Sequence, residues 1–237
     1  MKILALETSA KAVSAAVVEN GAVLASTYQN LGLTHSITLM PMVDTMLKNA
    51  GMTAQDMALI AVAAGPGSFT GLRIGISAAK GLAWALGLPC CGVSTLEAMA
   101  ENVTAFEGTV ICAMDARRQQ IYNAVFDCHG GRLIRRCEDR AIALEVLAQE
   151  LARETCEKIV VGDGAGLCHT YLLAQGISCR MAPAGSLYQR ASGVGLAAQR
   201  MVEQGRTVTP QALRPVYLRL SQAERERLAK GLPITVE

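Results

Sequence analysis

Gly65-Pro-Gly-Ser-Phe-Thr-Gly-Leu-Arg-Ile-Gly75 is the stretch that decides the fold of this chain. It follows an apolar run at residues 59–64, which is typical of a buried strand. Its first glycines and the proline end that strand, and Ser68 or Thr70 can cap a helix. No breaker except glycine then occurs from residue 72 until Gly87. The stretch therefore predicts a strand, a tight turn and a long helix.

The predicted helix at residues 72–86 is apolar around most of its circumference, so it must be buried on more than one side. One narrow stripe, drawn at about 100° per residue, carries Arg73, Ser77, Lys80 and Trp84. Gly75 and Gly81 each cost the helix roughly 1 kcal/mol relative to alanine. Close approach of another backbone would explain them. That backbone belongs either to the same chain or to a partner subunit, and the pattern leaves both interpretations open.

The composition sets limits on the class of protein. A chain of 237 residues can form two small lobes or one larger domain. A hydrophobic content of 51% with 18% charged residues excludes a disordered protein. The net charge of +2 does not indicate a nucleic-acid binder, and 4% aromatic residues argue against a stacking platform for single strands.

The eight cysteines are scattered and form no C-x-x-C pair. They predict neither a zinc site nor a disulfide framework, and we expect small core residues in a reducing compartment. Neither a signal peptide nor a membrane-spanning stretch is expected, because Glu7 and Pro89 interrupt the apolar runs that come nearest to one. We therefore expect a cytoplasmic protein.

The second half of the chain repeats the first at an offset of 108 residues. Ile3-x-Ala5-x-Glu7 corresponds to Ile111-x-Ala113-x-Asp115, and Asn20-Gly21 predicts a hairpin that has a counterpart at Gly130-Gly131. A further helix is expected at residues 141–157. The repeat predicts an α/β protein with an N-terminal lobe at residues 1–108, a C-terminal lobe at residues 109–220 and a loose tail at residues 221–237.

Few side chains in this sequence predict chemistry. Glu7 and Asp115 end equivalent strands, where carboxylates can hold a metal–phosphate group or can simply cap local turns. The glycines of the Gly65 turn and of Gly162-Asp-Gly-Ala-Gly166 can admit an anion or can serve as tight turns. His35 has no partner at a ligand spacing, and we expect it to cap a helix at residues 35–49. No catalytic, cofactor-binding or metal-ligating residue is predicted.

The helix at residues 35–49 is the second one whose apolar arc is wider than one sheet can cover. Four methionines in this region suit a deformable contact surface or a filled core equally well. The wide arc indicates that this helix too has a second buried face. The four methionines are Met40, Met42, Met46 and Met52.

Several motifs together resemble the bacterial TsaB (YeaZ) family over nearly the whole chain. They are Leu4-Ala-Leu-Glu-Thr-Ser9, His35-Ser36, the Gly65–Gly75 stretch, Gly92-Val-Ser-Thr-Leu-Glu-Ala98, Asp115-Ala-Arg117, Gly162-Asp-Gly-Ala165 and Tyr217-Leu-Arg219. The resemblance implies a duplicated actin-like ATPase (ribonuclease H-like) fold with two lobes of mixed sheet and flanking helices. It also implies a role in making N6-threonylcarbamoyladenosine at position 37 of tRNAs that read ANN codons.

In that role, the resemblance implies a non-catalytic subunit without a cofactor that binds and activates the catalytic subunit TsaD. The ATPase TsaE joins the two, the chain alone forms a homodimer, tRNA is reached through the complex, and no membrane is involved. Catalytic relatives carry a His-x-x-x-His metal pair, whereas this chain has His35 and Leu39. The family opening usually has Asp where Glu7 stands here. The first departure implies that the metal site is lost, and the second counts against an inherited phosphate contact.

The resemblance also implies that the two apolar helices pack against their equivalents in TsaD, or in a second copy, as a helical bundle. The residues predicted to form this partner surface are Leu39, Met40, Val43, Leu47, Gly75, Ala78, Ala79, Leu82 and Leu86. One alternative is an ATP-dependent phosphotransferase of the same fold, using Glu7, Asp115 and the two glycine turns. The other is a protease, for which the sequence offers no nucleophile–base pair or metal pair.

Overall fold

The structure is a computed structural model that describes residues 1–117, residues 120–219 and Arg227. A first sheet has five strands in the order β3-β2-β1-β4-β5. These strands are β1 (Lys2–Glu7), β2 (Val13–Glu19), β3 (Ala22–Gln29), β4 (Leu59–Gly65) and β5 (Cys90–Ser94). The hairpin between β2 and β3 turns at Asn20 and Gly21, which both have positive φ.

A second sheet repeats this arrangement in the order β8-β7-β6-β10-β11, with β9 also paired to β7. Its strands are β6 (Gly108–Asp115), β7 (Gln120–His129), β8 (Arg132–Arg135), β9 (Arg140–Ala143), β10 (Lys158–Val161) and β11 (Arg180–Met181). β6 pairs antiparallel with β7 and parallel with β10, as β1 does with β2 and β4. This duplicated mixed-sheet topology confirms the actin-like fold class.

Six helices cover the two sheets in the described part of the chain. They are α1 (His35–Asn49), α2 (Phe69–Leu86), α3 (Thr95–Glu101), α4 (Leu144–Leu151), α5 (Ala165–Ala174) and α6 (Ala191–Glu203). Because side chains alternate along a strand, β1 supplies two cores. Leu4 and Leu6 pack in the cluster with α1 and α2, while Ile3 and Ala5 pack in the cluster with α6.

The two lobes share packing through α3 and α6. Ala98 of α3 belongs to the core between α6 and the first sheet, while Leu96 and Met99 pack against the second sheet. α6 lies beyond the predicted boundary at residue 108, yet it packs on β1, β2 and β4. The chain therefore returns to the first lobe after Arg190, and the division into residues 1–108 and 109–220 stays a prediction.

Two predicted boundaries differ from the structure. The helix expected at residues 141–157 is shorter, because Ala141 and Ile142 pair with β7 in strand β9 before α4 begins. α2 begins at Phe69 because the hydroxyl of Ser68 accepts the N–H of Gly71 and caps it there. The tail predicted at residues 221–237 lies outside the described residues except for Arg227. No helix in the described ranges is both long and apolar enough to cross a membrane.

Candidate functional site

The ends of β1 and β6 meet at a cavity of about 670 Å³ that is lined by residues of both lobes. Its lining includes Ser9, Lys11, Thr70, Asp115, Arg117 and Tyr217. Asp115 is exposed there, and its Oδ1 accepts the N–H of Arg117 at 2.7 Å, so it caps a local turn. Glu7, the equivalent residue of the first lobe, does not line this cavity. The duplication has therefore placed two carboxylates in different environments.

Glu7 is completely buried. Its Oε1 accepts the N–H of Ser9, while its Oε2 has no hydrogen-bond partner. Burial raises the pKa of this carboxyl to about 7, the Ser9 hydrogen bonds oppose that rise, and the negative charge of Asp163 adds to it. The carboxyl of Glu7 therefore holds its proton to a higher pH than an ordinary exposed carboxyl does.

Backbone and side-chain atoms of residues 8 and 9 pack directly against three glycines of the Gly65–Gly75 stretch. A Cβ at Gly67 would lie 2.5 Å from the carbonyl oxygen of Ser9, and Cβ atoms at Gly71 and Gly75 would collide with Thr8. The close approach expected at Gly75 is confirmed, and the approaching group belongs to the same chain. Gly81, in contrast, has no atom within 4 Å of its Cβ position, so it faces open space.

These carboxylates and glycines do not fit the magnesium–nucleotide site of an actin-like ATPase. Glu7 is enclosed away from the cavity, and the carbonyl oxygen of Ser9 lies where a Cβ at Gly67 would be. Within the described residues, no group of three or more His, Cys, Asp or Glu side chains could hold a metal ion.

Residues 216–219, which include the family-like motif Tyr217-Leu-Arg219, form a strap across the cavity. The N–H of Val216 donates to the carbonyl of Ala64 at 2.7 Å in the first lobe. Tyr217 stacks on Phe69 at 4.6 Å between ring centroids, and Arg73 donates to the Tyr217 hydroxyl at 3.2 Å. At the other end of the strap, the guanidinium of Arg219 donates to the carbonyl of Ala116 in the second lobe. The strap thus bonds to both lobes.

His35 and Leu39 lie in different surroundings and do not form a pair. The Nε2 of His35 lies 2.7 Å from the carbonyl oxygen of Ala10, to which it donates, and Nδ1 is buried without a partner. The expectation that His35 caps α1 was wrong, because Thr34 is the N-cap residue and His35 ties the helix to the β1–β2 turn. Leu39 is 1% exposed in the core beneath α1. His35 is thus hydrogen-bonded through Nε2, and a buried leucine stands where the second histidine of the metal pair would be.

The outer faces of α1 and α2 form the second candidate site. A groove of about 520 Å³ runs between the helices, and we refer to it as the helix groove. Its lining includes His35, Met40, Phe69, Ile74, Ser77 and Ala78. On the same two helices Ile37 is 71% exposed and Trp84 is 66% exposed. Large apolar side chains exposed beside a groove are typical of a surface that contacts another protein.

The nine residues predicted for the partner surface divide into two sets. Five of them are buried within the chain: Leu39, Val43, Leu47, Gly75 and Ala79. Four reach the surface in part: Met40, Ala78, Leu82 and Leu86. Ile37, Ile74 and Gly81 also lie at or near the surface of these two helices, and the predicted set does not include them. The stripe containing Ser77 and Trp84 was the available signal, because it marks the outward side of α2.

Comparison with known proteins identifies relatives over most of the chain. Residues 29–226 match the family model described as TsaD: tRNA N6-adenosine threonylcarbamoyltransferase. The tRNA threonylcarbamoyladenosine biosynthesis protein TsaB of Escherichia coli (strain K12) is 32% identical over 222 residues, which cover 92% of this chain and 95% of that protein. The TsaB of Bacillus subtilis (strain 168) is 39% identical over 144 residues, or 61% of this chain and 63% of that protein.

Solved structures match the fold over a similar extent. YeaZ from Pseudomonas aeruginosa superposes with a TM-score of 0.78 at 28% identity, covering 92% of this chain and 99% of that one. An uncharacterized protein with similarity to peptidase YeaZ, also from Pseudomonas aeruginosa, gives a TM-score of 0.80 at 30% identity with the same coverage.

Proposed function

This chain belongs to the TsaB family of tRNA threonylcarbamoyladenosine biosynthesis proteins, and from that premise we propose that it is a non-catalytic subunit. It binds and activates the catalytic subunit TsaD during transfer of the threonylcarbamoyl group to adenosine 37 of tRNAs that read ANN codons. The observation that carries this proposal is the outer face of α1 and α2, where the helix groove is lined by Met40, Ile74 and Ala78, which are all at least partly exposed.

The state of the inherited chemical positions supports the same proposal. Leu39 is a core residue, His35 already donates to Ala10, and Glu7 is enclosed without facing the cavity. A protein with these residues at the inherited positions keeps the fold that a partner can recognise. Within residues 1–117 and 120–219, the inherited positions do not converge on one reacting atom, which catalysis requires.

The remaining partners follow from the same proposal. TsaE joins the complex of this chain with TsaD, and tRNA is contacted through that complex. The chain alone forms a homodimer. It works in the cytoplasm, where its tRNA substrates are found, and it needs no cofactor of its own.

The test is to mix the purified chain with TsaD and measure the mass of the product by light scattering. A 1:1 unit is expected for the unmodified chain. Ser77→Lys places a charge on the exposed outer face of α2 and is expected to abolish the complex, because an unpaired charge at a buried contact is costly. The matched control is Ser178→Lys, at an exposed serine of the second lobe, which is expected to bind normally.

Two results would contradict the proposal. The first is the absence of any complex together with normal tRNA modification when this chain is missing. The second is turnover of magnesium–ATP by the isolated chain at micromolar affinity, which would favour the alternative of an ATP-dependent phosphotransferase.

A further inference from the structure

Arg190 is a half-buried cation without a counter-ion. It is the one charged residue between positions 181 and 199 of the sequence. Within residues 1–117 and 120–219, its guanidinium forms no ion pair and donates no hydrogen bond, and its Nε is buried without a partner. A guanidinium partly removed from water and left without an acceptor is unfavourable, so its presence requires an explanation. An anion that the chain itself does not supply would provide one.

Aromatic and polar side chains surround the guanidinium of Arg190. Its central carbon lies 4.3 Å from the ring centroid of Tyr28, which is a cation–π contact. Burial raises the pKa of the Tyr28 hydroxyl; the charge of Arg190 opposes that rise, Tyr188 adds to it and the Asn30 side chain opposes it. These four side chains therefore lie together, none is a carboxylate, and each can donate hydrogen bonds to an anion.

The backbone on both sides of Arg190 is held by hydrogen bonds. Nδ2 of Asn102 donates to the carbonyl of Tyr188 at 3.0 Å, and the N–H of Ala191 donates to the hydroxyl of Ser14 at 2.8 Å. Arg190 thus projects from a fixed junction at the start of α6. Fixing the group before binding lowers the entropy that an anion contact costs.

A second cation lies farther along the loop that follows β3. Lys11 is exposed, and its Cε is 3.5 Å from the place that a Cβ at Gly32 would take. In the part of the chain that the structure describes, Lys11 forms no ion pair either. Residues 20–34 carry no charged side chain, so neither β3 nor this loop supplies a carboxylate to either cation. Leu31, in the same loop, is 75% exposed.

We propose that Arg190 and Lys11, together with Tyr28, Tyr188 and Asn30, form a binding site for phosphate groups of single-stranded RNA. Arginine binds phosphate through its planar fork, and proteins that hold single strands combine cations with aromatic side chains. The proposal rests on the proposed function, because it gives this chain a direct contact with the tRNA that the complex modifies. The loop after β3 leads into α1, so RNA held there lies next to the surface proposed for TsaD.

The test measures how the 1:1 unit with TsaD binds a tRNA that reads an ANN codon, over a range of salt concentrations. Arg190→Gln is expected to weaken binding about fivefold and to reduce the slope of log K against log salt by about 0.7, because one phosphate contact is lost. Lys11→Gln is expected to reduce the slope similarly. Arg190→Lys is expected to keep the slope but lose part of the affinity, because lysine lacks the planar fork.

The matched control is Arg153→Gln, at an exposed arginine of the second lobe, which is expected to bind tRNA normally. Circular dichroism checks that each variant folds. Light scattering checks that each still binds TsaD, which is expected because Arg190 and Lys11 do not line the helix groove. Failure of the unmodified chain to bind TsaD would count against the proposed function alone. Anticodon stem-loop RNA is then titrated into the isolated chain, where Arg190→Gln is again expected to weaken binding.

Inorganic phosphate is the second probe, because a small phosphate compound could use the same donors. RNA is expected to bind at least about a hundredfold more tightly, since several contacts act together along a strand. Arg190-dependent binding of inorganic phosphate, with equal RNA affinity for all variants, would assign the site to a small compound and overturn the proposal. Equal affinities and salt slopes for Arg190→Gln and Arg153→Gln would overturn it as well.

Discussion

Thr8 and Gly71 contact each other through two groups. The hydroxyl of Thr8 donates a 2.8 Å hydrogen bond to the carbonyl of Gly71, and the carbonyl oxygen of Thr8 occupies the place that a Cβ at residue 71 would need. One turn further along α2, the same hydroxyl blocks a Cβ at Gly75. Gly71 and Gly75 therefore let the helix approach the β1–β2 turn, whereas Gly81 has no such contact.

Replacing Gly75 with alanine is expected to destabilise the chain by about 1–3 kcal/mol, because the added methyl group collides with Thr8. That loss outweighs the gain of up to about 1 kcal/mol that alanine brings to a helix. Gly81→Ala is the matched control, since its Cβ position is open, and it is expected to raise stability. Urea denaturation of both variants measures the difference. Equal effects at the two positions would contradict the packing argument.

Glu7 is expected to make stability fall as pH rises. Its folded pKa of about 7 lies above the ordinary value of 4.5, so the folded chain keeps a proton that the unfolded chain has released. No penalty exists below pH 4.5, and the penalty grows to roughly 3 kcal/mol above pH 7. Glu7→Gln cannot ionise, so it is expected to exceed the unmodified chain in stability at pH 8 and to match it at pH 4.5. Denaturation at both pH values measures this, and a constant difference would contradict it.

Leu39→His recreates the spacing of a His-x-x-x-His pair but is not expected to recreate a metal site. Leu39 is 1% exposed, so a polar ring there costs about 2–4 kcal/mol of stability. His35 is also engaged with the carbonyl of Ala10. Thermal melts with and without zinc measure the result, and Leu39→Gln is the control. A zinc-dependent rise in melting temperature for the histidine variant alone would show that His35 remains able to bind metal.

Tyr217 is expected to hold the strap mainly through its ring. Tyr217→Phe keeps the stacking on Phe69 and loses only the hydrogen bond from Arg73, so we expect a loss of about 1 kcal/mol or less. Tyr217→Ala removes both contacts and is expected to cost more and to speed amide exchange at Val216. If the two variants behave alike, the stacking contributes nothing measurable.

Gly75 and Ala79 illustrate how burial limits a test of docking. A charged residue at either position would destabilise the fold itself, because Ala79 is fully buried and a Cβ at Gly75 collides with Thr8. The outer face of α2 is therefore probed at Ser77, where a variant can fold and still fail to bind. The sequence pattern alone could not separate the buried positions of α2 from its exposed ones, because nearly all of them are small or apolar.

The sequence predicted much of the architecture because the relevant signals are local. Asn20 and Gly21 marked the hairpin, the Gly65 turn marked the junction of β4 and α2, and the 108-residue offset marked the repeat of β1 in β6. Each signal depends on backbone conformation or periodicity within a few residues. These are properties that the chain expresses before any tertiary contact forms.

What the sequence could not supply are contacts between distant segments. The enclosure of Glu7, the blocking of Gly71 by Thr8 and the bridge from Arg219 to Ala116 join residues that are far apart in the chain, or depend on such packing. Predicting these features requires knowing which element packs where.

The return of α6 to the first sheet has a consequence for synthesis. Ile3 and Ala5 are synthesised long before the helix that covers them, which spans Ala191–Glu203. One face of the first sheet therefore stays uncovered until residues 191–203 have been translated. Nascent chains of this protein therefore pass through a long interval in which chaperones can bind them. The first lobe cannot complete its core before α6 has been made.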